Sequence, residues 1–239
     1  MGGTLGILGA KRARPRPRSV REDWSAWLPN EMDRLFDATR GELESSNVIL
    51  SISLDEALAF CERGKYDHAR ESAAVFGDLF DRLAISLNLV IRTLKEHGSH
   101  FGTLPNVSPL SASNFRGATA QRISMMSGLL AKVVFSGRTR FFHKLSSLGD
   151  VIEELQKEAR SITSGVAHGG PEVTERAWRE LEVLGYDLNT CMGETTVVLK
   201  SFFCALPAEE LEPFRLRLVT LVPALLAVEP GPRRALKRK

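Results

Sequence analysis

The sequence has few cysteines, few aromatic residues and no long apolar run. Aromatic residues make up 7% of the 239 positions, and there are only three cysteines: Cys61, Cys191 and Cys204. This odd and sparse set argues against a disulfide-stapled secreted fold, so we expect a reducing, cytoplasmic location. The longest apolar stretch, residues 218–228, is interrupted by Thr220 and Pro223, and it is too short to span a bilayer. We therefore expect no transmembrane segment.

The sequence also lacks a recognisable metal or cofactor motif. Carboxylate-bridged metal bundles place a glutamate three residues before a histidine. The residues three before the five histidines are Lys65, Leu94, His97, Arg140 and Gly165. None of these is acidic, and the glycines near the N-terminus do not have the spacing of a phosphate-binding loop. We predict neither a metal site nor a cofactor.

Basic residues are concentrated at the two ends of the chain. Residues 22–232 hold 21 basic and 29 acidic residues, a formal charge of −8, although the whole chain carries +3. Eleven basic residues lie outside that stretch: Lys11, Arg12, Arg14, Arg16, Arg18, Arg21, Arg233, Arg234, Lys237, Arg238 and Lys239. Such tails attract polyanions without reading sequence, so we predict that these residues bind nucleic acid or another polyanion nonspecifically.

Three long stretches show helical periodicity. Apolar residues recur at alternating steps of three and four in residues 66–97, in residues 141–162 and again from Pro171 to Phe202. Gly98 ends the first stretch, at a position where a left-handed glycine cap is expected. Spacing of this kind favours near-antiparallel packing of long helices. We therefore predict an all-α protein, an elongated antiparallel bundle of about five to seven helices.

Other segments give weaker signals. A helix is predicted after Pro29, and Ser53 with Glu56 forms a capping box that predicts a separate short helix ending at Gly64. Residues 50–54 alternate like a strand; without a partner strand we interpret them as a helix end and a turn. The last segment, residues 209–228, is apolar throughout most of its length. We predict that it is kinked by its two prolines and largely buried against the bundle or a partner.

These signals divide the chain into three parts. We predict a basic, disordered N-terminal tail at residues 1–28, a single helical-bundle domain at residues 29–228, and a basic C-terminal tail at residues 229–239. Within the domain, residues 98–113 are rich in glycine, serine, proline and asparagine, and this composition predicts a flexible loop. For function, we predict a non-enzymatic interaction or regulatory protein that binds a protein partner or forms a homo-oligomer.

Two short stretches carry a resemblance to a known family. They are residues 63–69, which hold a glycine, a tyrosine and an alanine in that order, and Val166 to Gly169 with Trp178 and Leu181 beyond. Together they resemble the HEPN family of small helical domains, many of which are RNases or antitoxin partners. The resemblance implies that His168 acts as a general acid or base on a ribose hydroxyl.

The arginine of this family is out of place here. Active members have an arginine a few residues before the histidine. In this sequence the positions around there are Ile162, Thr163 and Ser164, and Arg160 stands eight residues before His168. The resemblance therefore implies either an RNase that uses His168 and Arg160 or a catalytically inactive relative that binds RNA. A small-ligand-binding helical regulator is a third class, because pockets between bundle helices leave no linear motif.

Overall fold

The computed structural model describes residues 21–130, 136–166 and 168–228, and in these ranges every regular element is helical. The six helices are α1 (Arg21–Glu62), α2 (Tyr66–Gly98), α3 (Gly117–Leu130), α4 (Gly137–Val166), α5 (Pro171–Ala205) and α6 (Ala208–Leu226). A short 3₁₀ turn, Ala112–Asn114, precedes α3. The prediction of an all-α bundle of five to seven helices is confirmed.

Four of the helices, α1, α2, α4 and α5, form an up-down-up-down bundle. Cross-helix contacts show the directions: Asn47 of α1 bonds Asn189 of α5, and Asp33 pairs with Lys200, so these two helices are antiparallel. The contacts between α2 and α4 show that these two helices are antiparallel as well. Gly77 lies against Thr163, and Gly98 lies against Phe141. Short connections join α1 to α2 and α4 to α5, which suits antiparallel neighbours.

The three predicted periodic stretches account for α2, α4 and α5. Their apolar stripes form the core, and the largest fully buried side chains are aromatic: Trp178, Phe76, Phe80, Phe141, Phe202 and Phe214. Gly98 does end α2, but the predicted left-handed cap is wrong, since positive φ is found at Gly64 and Gly117 instead. A Cβ at Gly98 would lie 3.1 Å from the Phe141 ring, so close packing explains this glycine.

The structure corrects our interpretation of the first segment. One helix of 42 residues, α1, runs from Arg21 through Pro29 to Glu62, a length of about 63 Å. The predicted turn at residues 50–54 and the separate capped helix are therefore wrong. The helix also begins inside the range 1–28 that we predicted as a tail. Residues 1–20 and 229–239, which include most of the predicted tail sequence, lie outside the described residues.

The connection from α2 to α3 is packed rather than free. Its apolar residues are buried at steps of three: Phe101, Leu104, Val107 and Leu110. Arg138 of α4 donates from Nη2 to the carbonyl of Ser99 at 2.9 Å and also bonds the carbonyl of Phe101. The connection packs on the bundle because the apolar residues between its glycines and prolines are buried, while the flexibility predicted for residues 98–113 stays a prediction.

Candidate functional site

The predicted catalytic pair lies near the junction of α4 and α5. His168 is exposed in the turn between these helices, and its backbone N–H donates to the carbonyl of Gly165 at 3.3 Å. Arg160 lies on α4, where its Nε donates to both carboxylate oxygens of Asp81 on α2, at 2.9 and 2.8 Å. The guanidinium of Arg160 is therefore held by a carboxylate, which would compete with a phosphate for it.

A different arginine contacts the turn that holds His168. Arg70 of α2 donates from Nη1 to the carbonyl of Gly169 at 2.6 Å, and its Nη2 pairs with Asp67. Sequence spacing could not identify Arg70, because it stands almost one hundred residues before His168 and reaches the turn only through the packing of α2 against α4 and α5. Its bond to a carbonyl next to His168 fixes the turn.

Buried polar residues join α3, α4 and α5. Lys144 of α4 is almost completely buried, and its Nζ lies 2.6 Å from Glu194 Oε2 of α5. Asp187 is fully buried and accepts the backbone N–H of Arg116 at 2.8 Å, so it caps the start of α3. Burial raises the pKa of Asp187, while hydrogen bonds from Thr119 and Arg116 and the charge of Arg116 lower it. These contacts give the cluster a structural role.

A groove of about 480 Å³ opens beside this cluster. It is lined by the start of α3, by Glu158 of α4 and by the first half of α5. Four of the five charged α5 residues that line it pair within the helix: Arg176 lies 3.0 Å from Glu180, and Arg179 lies 3.2 Å from Glu175. The groove is where a small ligand of the third predicted class would bind, and that class stays a prediction.

His97 is a buried histidine at one end of the bundle. Its ring centroid lies 4.9 Å from that of Phe101 and 5.0 Å from that of Phe214, and its Nε2 is buried without a hydrogen-bond partner. Burial lowers the pKa of His97, and the nearby charges of Arg217 and His100 lower it further. Among the described residues, no cluster of three or more potential metal ligands occurs.

The three cysteines differ in exposure. Cys61 and Cys191 are buried, whereas Cys204, at the end of α5, is exposed. Burial raises the pKa of the Cys61 thiol, and burial together with Asp187 and Glu194 raises that of the Cys191 thiol.

The most unusual surface belongs to α6. Its inner face packs on α1 and α2 through four buried residues: Phe214, Leu218, Leu221 and Leu225. The opposite side, which we name the α6 outer face, consists of Leu216, Val219, Pro223 and Leu226. Leu216, Val219 and Leu226 are 54%, 40% and 56% exposed. The prediction that this segment is largely buried therefore holds for one face only within this chain.

A second apolar surface lies on the outward side of α1. Val48, Ile49 and Ile52, which we name the α1 triad, are 55%, 50% and 53% exposed. Ile52 stands four residues after Val48 and three after Ile49, so its side chain is a neighbour of both on the helix surface. The sequence pattern does not reveal this surface, because the alternation of residues 50–54 predicts a turn there.

Comparison with known proteins gives no match to a family model, to a curated protein or to a solved structure. No helix in the described ranges is both long enough and apolar enough to cross a membrane.

Proposed function

We propose that this chain is a non-enzymatic helical interaction protein that pairs with a second copy of itself through the α6 outer face. The observation that carries the proposal is the composition of α6. From residue 218 to residue 228 the helix and its end contain no charged residue, yet the bundle covers only one side of it. A helix that is apolar all round is normally buried all round. In this proposal, the α6 outer face is buried against a second molecule.

The spacing of the α6 outer face suits a matching helix. Its residues follow steps of three, four and three, the pattern of a coiled-coil seam. An isologous pair with two-fold symmetry brings the same surface of both copies together, so one seam serves both chains. Single exposed apolar residues are normal on protein surfaces, but four aligned residues on a helix whose other side is already docked indicate an interface.

Charge favours the antiparallel orientation of the two helices. The charged residues of α6 all lie in its first half: Glu209, Glu210, Glu212, Arg215 and Arg217. Parallel pairing would place each of these beside its own copy, with like charges adjacent. Antiparallel pairing places them opposite the uncharged second half of the partner helix, which removes this repulsion. It also directs the acidic start of α6 towards the end from which the partner's basic sequence continues.

The test of this proposal is the oligomeric state of the full chain. We expect sedimentation velocity to show a dimer that dissociates on dilution. The double variant Leu216→Glu and Val219→Glu should be monomeric, because it places two carboxylates in the seam. The control is Val75→Glu, which replaces an equally exposed valine on α2. Circular dichroism checks that each variant keeps its helices. A monomer at every concentration, or an unchanged dimer in the double variant, would refute the proposal.

The basic tails would add electrostatic affinity to such a protein. The six N-terminal and five C-terminal basic residues attract a polyanion or an acidic partner through counterion release. We expect binding of the full chain to labelled single-stranded RNA to fall steeply with salt. Replacing these eleven basic residues with glutamine should abolish it. Binding that is indifferent to salt would exclude this role for the tails.

A second candidate function is RNA cleavage or binding by a HEPN-like site. The observation that favours it is the bond from Arg70 to Gly169, which brings an arginine to the turn holding His168. Under this alternative His168 is the general acid or base, and Arg160 or Arg70 contacts phosphate. We expect labelled RNA to be cleaved by the wild type and left intact by His168→Ala. Cleavage that survives His168→Ala would come from another source.

A further inference from the structure

All charged residues that α1 itself carries on either side of the α1 triad, within residues 41–62, are acidic. Residues 41–62 contain five acids, Glu42, Glu44, Asp55, Glu56 and Glu62, and no lysine or arginine. Four of the acids are exposed. Glu44 is paired, since its Oε1 accepts from Arg40 Nε at 2.6 Å. The charges nearest the triad on its C-terminal side, Asp55 and Glu56, stand one turn beyond Ile52.

We propose that the α1 triad binds a basic amphipathic helix of a partner protein. Two features together select this occupant. The three half-exposed aliphatic side chains offer an apolar contact at helical spacing, which fits the apolar stripe of another helix. The acidic border excludes acidic partners and attracts lysine and arginine at the rim, where charge sets specificity and association rate. This surface is separate from the α6 outer face, and the inference does not depend on self-association.

The N-terminal basic residues of the same chain cannot form a helix that lies on the triad, because a helix rises only about 1.5 Å per residue and even an extended backbone falls short. Lys11 is the basic residue farthest from α1, ten residues before Arg21, and a fully extended chain of that length reaches about 36 Å. Val48 lies 27 residues further along α1, which is about 40 Å at the rise of a helix. The other N-terminal basic residues lie nearer to Arg21 in sequence and reach less far. A separate molecule is the occupant that the geometry favours.

The probe for this inference is a synthetic helix of leucine and lysine. A fluorescent peptide of about 18 residues, with leucines at steps of three and four and lysines elsewhere, is long enough to fold when bound. A second peptide with glutamate in place of lysine has the same apolar stripe and the opposite charge. Fluorescence anisotropy with the full chain measures both affinities. We expect the lysine peptide to bind and the glutamate peptide to bind at least about tenfold more weakly.

Variants of the chain locate the binding. The double variant Ile49→Ser and Ile52→Ser should weaken binding of the lysine peptide by about tenfold or more, because it removes the centre of the apolar contact. Asp55→Lys with Glu56→Lys should weaken it to a similar degree and flatten its dependence on salt. The matched control, Val197→Ser, changes an exposed valine of α5 and should leave the affinity within about twofold.

Three results would overturn the inference. The first is equal binding of the two peptides, and the second is unchanged binding by the serine variant. The third concerns the C-terminal tail. If glutamine at Arg233, Arg234, Lys237, Arg238 and Lys239 raises the affinity for the lysine peptide about tenfold or more, the chain's own tail occupies the triad. An unchanged affinity in that variant supports a separate partner.

Discussion

Two consecutive helices of this protein, α5 and α6, show how differently an apolar sequence can be used. In α5, a single stripe of buried residues faces the bundle, and the remaining surface carries charges that pair along the helix, such as Arg176 with Glu180. In α6, charges stop at Arg217, and apolar residues occupy both sides of the helix beyond that point. The buried stripe of α5 completes the four-helix core, whereas α6 is added to its outside, on α1 and α2.

A single domain can bury only part of such an apolar pattern. A helix with one stripe needs one neighbour surface, and α5 finds it in α1, α2 and α4. A helix with two stripes needs a neighbour on each side. Because the bundle has no further helix in the described ranges to cover α6, its second stripe points to association. The following changes test this contrast, beginning with the inner contacts.

The largest effect is expected at Trp178 of α5. Its side chain is fully buried, its Nε1 donates to the carbonyl of Ala69 at 3.2 Å, and its ring meets the Phe76 ring edge-on at 5.4 Å. Trp178→Ala should lower the free energy of unfolding by about 3–5 kcal/mol, because it opens a cavity in the core. Chemical denaturation measures the change. A loss below about 1 kcal/mol would show that the core does not depend on this contact.

A smaller and more local effect is expected for the inner face of α6. Phe214 is fully buried against His97 and Phe202, with ring centroids 5.0 and 4.9 Å away. Phe214→Ala should weaken the docking of α6 by about 3 kcal/mol. Amide hydrogen exchange should then accelerate in α6 far more than in α5, because the four-helix core remains intact. Equal acceleration in both helices would mean that α6 belongs to the core.

Lowering the pH should weaken the same contact between Phe214 and His97. The pKa of His97 lies below its ordinary value of 6.5, so the folded protein holds this ring neutral where the unfolded chain protonates it. The contribution of His97 to stability is therefore present above pH 6.5, and it is lost as pH falls below that value. Denaturation midpoints should decrease from pH 7.5 to pH 5. The decrease should shrink in His97→Phe and persist in His168→Gln, which changes an exposed histidine.

The smallest effect on folding is expected at the α6 outer face. Leu216→Gln should change the free energy of unfolding of the isolated chain by no more than about 0.5 kcal/mol, since the side chain is half exposed. The measurement is made at a dilution where the wild type is monomeric, so that association does not contribute. A loss similar to that of Phe214→Ala would show that both faces of α6 pack within one molecule.

The sequence predicts those elements whose apolar residues repeat without interruption. The starts of α2 and α5 were predicted to the residue, and the core of α4 lies within its predicted stretch. The long helix α1 was divided because two local rules opposed it: Pro29 predicts a boundary, and the alternation of residues 50–54 resembles a strand. In the structure Leu50 faces the core, Ile52 faces outwards, and the Ser51 hydroxyl donates to the carbonyl of Asn47 within the helix.

The two candidate surfaces also differ in whether the sequence predicts them. The two-sided character of α6 is visible in the sequence as a run without charges, and this run led to the prediction of self-association. The α1 triad is not visible, because only an unbroken helix through residues 48–52 brings its three side chains to one outward side. The partner of Arg160 and the contact of Arg70 with the His168 turn depend on helix packing, which no linear spacing encodes.

The exposure of a single cysteine allows the unmodified sequence to be labelled at one position. Cys204 is accessible at the end of α5, while Cys61 and Cys191 are enclosed and keep their thiols protonated. A maleimide dye should therefore react once with the folded protein and three times after denaturation. Because Cys204 lies four residues before α6, the label would report on that helix. Energy transfer between two labelled copies would then follow pairing without any engineered mutation.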